Sequence, residues 1–124
     1  MCGIVGVAST RNSVDLLLGG IQKLEYRGYD SAGFAFWDER KREILYQKAV
    51  GKITNLEQKI DPRNSFFANP LILHTRWATH GRPTETNAHP HSAGRVSLIH
   101  NGIIENYLPL RTMLESKGCV FLSE

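Results

Sequence analysis

Hydrophobic positions in this chain of 124 residues change their spacing from one stretch to the next, and each spacing predicts an element. Gly3 to Ser9 is a run of small and β-branched residues, the pattern of a strand covered on both faces. Such a strand holds whatever precedes it, here Cys2, at a rigid strand end. From Asn12 or Ser13, either of them a good N-cap, Val14, Leu17, Leu18, Ile21 and Leu24 recur at helical spacing as far as Gly28. Ser31 to Trp37 and Glu43 to Lys48 read as two strands joined by the charged turn Asp38-Glu39-Arg40-Lys41-Arg42. Ile53, Leu56 and Ile60 mark a short helix stopped by Pro62, and Asn69-Pro70 opens a further strand, Leu71 to Arg76. Ala78 to Gly94 is polar, punctuated by glycine and proline and without apolar periodicity, so a long loop is predicted there. Arg95 to Asn101 predicts a strand, Ile103 to Lys117 a helix ended by Gly118, and Cys119 to Leu122 the start of one more strand. The order β-α-β-β-α-β-loop-β-α-β describes a mixed, layered domain of helices and strands.

Composition narrows the classes without naming a function. The chain is long enough for one core and one domain, residues 1–124, and its 41% hydrophobic and 22% charged residues are those of a globular protein. No apolar run approaches the roughly 20 residues that span a bilayer, and the N-terminus has no basic segment followed by a long apolar one. No membrane association and a cytoplasmic location are the expectations. Cys2 and Cys119 lie far apart without CxxC spacing, so neither a disulfide framework nor a thiolate zinc site is predicted. The net charge of +3 comes from basic residues interleaved with acidic ones, and no zinc-finger spacing or basic helix accompanies it, so no nucleic-acid partner is expected.

The chemistry gathers in four polar stretches. In Met1-Cys2-Gly3-Ile4-Val5-Gly6, removal of the initiator before a small residue would leave Cys2 with a thiol and a free α-amine on one carbon. Groups with ordinary pKa values of about 8.5 and about 7.7–8.0 can share a proton at neutral pH, which makes such a cysteine a nucleophile with its own base. The second stretch runs from Leu24 to Gly33, the third from His74 to Gly81 and on through Asn87-Ala88-His89-Pro90-His91, and the fourth is His100-Asn101-Gly102-Ile103-Ile104-Glu105-Asn106. Each has a plain structural reading. Asn101-Gly102 can be a turn before a helix, Arg76 one half of a surface ion pair, Arg27 a solvated residue at a helix end and Trp77 a core residue. The five histidines His74, His80, His89, His91 and His100 are raw material for a metal site, but their spacings of 6, 9, 2 and 9 match no usual zinc pattern. His89 and His91 are expected to hold the long loop by hydrogen bonds, and His74 and His100 to be strand residues. No metal and no cofactor are predicted.

These four motifs, in this order over nearly the whole chain, closely resemble the class II glutamine amidotransferases, whose glutaminase domain belongs to the N-terminal nucleophile hydrolases. The resemblance implies an α+β fold, the first half of an αββα sandwich. It implies that the Cys2 thiol attacks the side-chain amide of L-glutamine, giving a γ-glutamyl thioester and ammonia, and that water then releases glutamate. Cys2, Asn101 and Gly102 are then catalytic, the last two through the side-chain amide and backbone N–H of an oxyanion hole; both donor types suit that work. Arg76 resembles the anchor of the substrate α-carboxylate, a task matched to its planar charged fork. Trp77, Thr79 and His80 belong to a loop that closes over glutamine, and Arg27, Gly28 and His89 support the site. Glu25-Tyr26-Arg27-Gly28-Tyr29-Asp30-Ser31-Ala32-Gly33 and Asn87-Ala88-His89-Pro90-His91 look like the branch that passes ammonia to fructose 6-phosphate, giving glucosamine 6-phosphate. The branch that uses phosphoribosyl pyrophosphate differs at both, and remains the alternative.

By the same resemblance the glutaminase domain continues past Glu124, where the family has an aspartate for the substrate α-amine, and is followed by a sugar-phosphate isomerase domain that accepts the ammonia. A C-terminally truncated piece of a homodimeric enzyme is the expectation, with a bare final strand exposing a sheet edge. Two further readings stay open: a non-catalytic fragment, and a histidine-rich metal-binding module.

Overall fold

The computed structural model describes residues 2–10, 13–27, 30–60 and 68–123. Its centre is an antiparallel sheet in which β1 (Gly3–Val7), β4 (Ala68–Arg76), β2 (Ser31–Asp38) and β3 (Glu43–Val50) lie side by side in that order. Strands alternate their side chains between faces, so the register decides which residues meet. Phe34 pairs with Leu73 and Phe36 with Leu71, which puts Ala32, Phe34, Phe36, Leu71 and Leu73 on one face. Two helices cover that face. α1 (Ser13–Leu24) contributes Leu17 and Ile21, and α2 (Ile53–Glu57) contributes Ile53 and Leu56, all buried in one core with Ile60. Helical spacing in the sequence, period two in β2 and the short apolar triplet at 53, 56 and 60 converge on this core, and fully burying one such side chain contributes roughly 1.5–3 kcal/mol.

The opposite face carries Gly33, His74 and Arg76, because Gly33 pairs with His74 and Ser31 with Arg76. β2 is buried from Ser31 through Phe36 on both faces, and the segment Ala88-His89-Pro90 lies against this second side. Gly33 permits the closest approach: a Cβ there would stand 2.3 Å from the His89 carbonyl oxygen and 3.0 Å from that of Gln47. Beyond this crossing, β5 (His91–Ala93) and β6 (Val96–Leu98) form a small hairpin turned at Gly94. α3 (Tyr107–Ser116) follows with no buried residue, closed by Gly118 at φ +85° and by Cys119 N–H donating to the Leu114 carbonyl at 3.0 Å.

Several boundaries differ from the sequence reading for identifiable reasons. β1 ends at Val7 and lies at the sheet edge with Ile4 47% exposed, so its apolar run is covered on one face only. The predicted loop 78–94 ends four residues early, because His91–Ala93 finds a partner in Val96–Leu98 across a tight glycine turn, and the strand predicted over Arg95–Asn101 shrinks to Val96–Leu98. His100 is accordingly outside any strand. The third helix starts at Tyr107 rather than Ile103. Residues 119–123 pair with no described strand, and Phe121 lies under the Arg111 guanidinium at 5.1 Å instead, so the predicted last strand and its open edge are not formed. Pro62 lies outside the described residues.

Candidate functional site

Pleat geometry places the first site residue. Gly3 pairs with Thr75, so Cys2, one position earlier, stands beside Arg76 and on the same face as Ile4, His74 and Arg76. Its thiol is half-buried and lodged against Trp77: the Trp77 N–H donates to Cys2 Sγ at 3.4 Å, and the thiol faces the Trp77 carbonyl at 3.8 Å. Trp77 itself is 46% exposed, which settles its alternative reading: it is not a core residue. The turn after it is held by Asp30, one of whose carboxylate oxygens accepts the Ala78 N–H while the other accepts the Ser31 hydroxyl at 2.8 Å. The sequence reading quoted Asp30 within a motif but gave it no task. A carboxylate at the start of a buried strand was the available signal.

Arg76 emerges at the end of β4 and turns its guanidinium into the following loop. It donates to the carbonyls of His80, Arg82 at 3.2 Å and Gly81 at 3.5 Å, so the fork assigned to a substrate carboxylate is engaged by the loop that follows it. This is not the surface ion pair of the plainer reading. Gly81, at φ +73°, makes the curl possible. Thr79 and His80 are exposed on the loop, joined through the Thr79 hydroxyl and the His80 ring at 3.2 Å. Asn87, buried at the far end, donates from its side chain to the Arg82 carbonyl at 3.0 Å and closes the loop on itself.

Behind Arg76 three imidazoles stack. His89 lies between His74, with ring centres 4.6 Å apart, and His91, with centres 4.5 Å apart and rings edge to face. Burial, reinforced by the neighbouring His74, His91, Arg76 and Lys48, holds His89 down to about 3, and burial likewise lowers His74 and His91. The stack is uncharged at neutral pH. The rings face one another instead of converging on a point, and among the described residues no group of three or more histidine, cysteine or carboxylate side chains is placed to hold a metal ion. His89 Nδ1 accepts the His100 N–H at 3.3 Å, the loop-tethering task expected of it.

His100 leads into Asn101 and Gly102, which the structure brings to the same place. Asn101 Oδ1 lies 2.7 Å from His74 Nε2, and a Cβ on Gly102 would stand 2.8 Å from the His100 ring, so the turn is tight. Cys2, Arg76, Trp77, Thr79, His80, His89, Asn101 and Gly102 all line one open cleft of about 1270 Å³. Of the predicted site residues, Gly28 and the Arg27 side chain lie outside the described residues.

A thiol, a guanidinium, a carboxamide and exposed backbone at one cleft can capture a small molecule bearing a carboxylate and present an electrophilic carbonyl to sulfur. No family model matches the chain. Over its full length it is 50% identical to the glutamine–fructose-6-phosphate aminotransferase [isomerizing] of Acinetobacter baylyi, 48% identical to that of Haemophilus influenzae and, over 126 aligned residues, 52% identical to that of Clostridium acetobutylicum. It spans about a fifth, 20%, of the length of each of these relatives. Among solved structures it superposes on the glutamine phosphoribosylpyrophosphate amidotransferase of B. subtilis complexed with ADP and GMP with a TM-score of 0.75 and 25% identity, over 98% of this chain and 26% of that one. An allosteric regulatory enzyme of purine biosynthesis matches with a TM-score of 0.76, again at 25% identity.

Proposed function

The chain belongs to the glutamine amidotransferases of the N-terminal-nucleophile-hydrolase fold, and from that premise we propose that it carries the glutamine-hydrolysing half-reaction of an amino-transferring enzyme. Cys2 is the nucleophile, once removal of Met1 frees its α-amine. Its sulfur adds to the side-chain carbonyl carbon of L-glutamine while the amine takes the thiol proton. The C–N bond then breaks, ammonia leaves with a proton returned by the amine, and water hydrolyses the γ-glutamyl thioester to glutamate. Asn101 and the Gly102 N–H stabilise the oxyanion formed at each addition, and loss of one such donor costs about 2.7–4 kcal/mol. Arg76 takes the substrate α-carboxylate in exchange for its loop carbonyls, and Trp77, Thr79 and His80 form the wall that covers the ligand. Arg27, Gly28 and His89 support the site.

One observation carries this reading: residues from three of the four polar stretches, Cys2 from the first, Arg76, Trp77, Thr79, His80 and His89 from the third, and Asn101 and Gly102 from the fourth, line a single cleft. Identity near 50% to the fructose-6-phosphate enzymes, against 25% to the phosphoribosyl enzyme, favours fructose 6-phosphate as the acceptor in a longer assembly. The isomerase partner, a homodimer and a cytoplasmic location belong to the same reading; no described helix is long and apolar enough to cross a membrane.

The test uses the second free cysteine as an internal control, since Cys119 is exposed and Cys2 is half-buried. A glutamine-mimicking chloroketone should alkylate Cys2 far faster than Cys119, L-glutamine should protect, and iodoacetamide should not show that preference. Equal labelling of the two thiols by the chloroketone, or no adduct on a processed Cys2, refutes the reading.

A further inference from the structure

We propose that His74 is a positioning residue that fixes the carboxamide of Asn101 so that its NH₂ group, not its oxygen, is presented to the Cys2 cleft; the catalytic consequence rests on the glutaminase reading above. His74 stands in the centre of the sheet, paired with Ile4 on one side and Gly33 on the other, and is 1% exposed. Its Nε2 is 2.7 Å from Asn101 Oδ1, while its Nδ1 is buried without a hydrogen-bond partner. A neutral imidazole has one N–H and one lone pair. A buried N–H left unpartnered is the rarer and costlier fault, so the proton sits on Nε2 and is donated to Oδ1. Burial and the neighbouring Arg76 guanidinium disfavour a second proton.

An asparagine whose oxygen is engaged has its NH₂ placed by the planarity of the amide, at the opposite end of the group. For a residue that must donate to an oxyanion this is the useful end. The reversed amide would turn an acceptor towards developing negative charge. Asn101 needs such an external hold, because it is exposed and residues 99–106 belong to no helix or strand. The neighbouring His89, which accepts the His100 N–H, fixes the backbone one residue earlier, and its ring contact with His74 joins the two holds. In the sequence His74 stands at the head of the third polar stretch, as one of five histidines weighed for a metal and expected to be a strand residue, with no task toward Asn101.

Two measurements test this independently. Long-range ¹⁵N NMR on the wild-type chain should find His74 neutral with the proton on Nε2; a proton on Nδ1 overturns the proposal, whether or not the chain turns over glutamine. For catalysis, His74→Phe keeps a ring without a donor, and His74→Gln restores an N–H. His74→Phe should lower kcat for glutamine hydrolysis about 10- to 100-fold, part of the roughly 10²–10³-fold that one oxyanion donor supplies. Its KM and its rate of Cys2 alkylation by iodoacetamide should stay within a few-fold of wild type, and His74→Gln should recover part of the loss. In an Asn101→Ala background His74→Phe should cost little more, since both changes remove one device. An unchanged kcat in His74→Phe, or a full additional loss in the double variant, overturns the proposal. Absence of glutamine hydrolysis by the wild-type chain counts against the glutaminase reading alone, and the tautomer then decides this one.

Discussion

Replacing Gly33 with alanine adds one methyl group and tests how tightly the loop is laid on the sheet. The new Cβ would stand 2.3 Å from the His89 carbonyl oxygen and 3.0 Å from the Gln47 carbonyl oxygen. The first is about 1 Å inside ordinary van der Waals contact, and both obstacles are backbone, so neither can swing aside as a side chain would. Relief requires the His89-Pro90 segment to lift from β2 by about that distance. Overpacking of this kind costs about 1–3 kcal/mol, and the backbone character of both obstacles puts Gly33→Ala at the upper end. A domain of this size loses on the order of 4 °C of Tm per kcal/mol, so a drop near 10 °C is expected. The lift would also pull His89 from His74 and from the His100 N–H, and thereby loosen Asn101. Urea unfolding followed by circular dichroism gives the stability change, and chloroketone labelling of Cys2 gives the functional one. Gly33→Ala within about 0.5 kcal/mol of wild type, with unchanged labelling, would mean that the loop does not lie on β2 as described.

Three further outcomes follow from the same geometry. Arg76→Lys keeps the charge but loses the planar fork, so it should raise KM for glutamine by about 10-fold or more with a smaller effect on kcat, measured by steady-state glutamate release. Leu73→Ala, at 0% exposure in the core, should cost about 2–5 kcal/mol in urea unfolding; less than 1 kcal/mol would contradict its place there. The histidine stack should make the fold acid-sensitive. His89 is held below its ordinary 6.5 to about 3, so the unfolded chain binds the extra proton first, and the stability this neutral ring contributes is complete above about pH 6.5 and declines as pH falls towards about 3. His74 and His91 shift the same way. Urea midpoints between pH 7 and 4 should therefore fall more steeply in wild type than in His89→Phe, and parallel curves would refute the assignment.

What could be read in advance divides along a physical line. β2, β3 and both core helices were legible because their apolar spacing is set by burial against this chain's own residues: Leu17, Ile21, Phe34, Leu56 and Leu73 meet in one core. β1 misled because Gly3 to Val7 has the composition of a doubly covered strand, whereas Ile4 is nearly half exposed. Helix α3 and residues 119–123 were poorly bounded for a related reason: Ile103, Leu108, Val120 and Leu122 are apolar yet exposed, so no packing among the described residues fixes where regular structure starts. The lining of the candidate cleft was legible in part through motif wording, which singled out Cys2, Arg76 and Asn101. Their mutual geometry was not, because hydrogen bonds such as His74 to Asn101 and Ala78 to Asp30 link residues far apart in sequence.

The carbonyls of residues 80–82 on the Arg76 guanidinium set a rule for any ligand that seeks it. A carboxylate arriving at this fork enters an exchange, not an empty seat. Its measured affinity is the difference between what it gains and what the loop gives up, so affinity and loop order are reciprocally linked. Weakening the loop's own hold, for instance where Asn87 closes it on the Arg82 carbonyl, should tighten binding of a small carboxylate while slackening the cover over it.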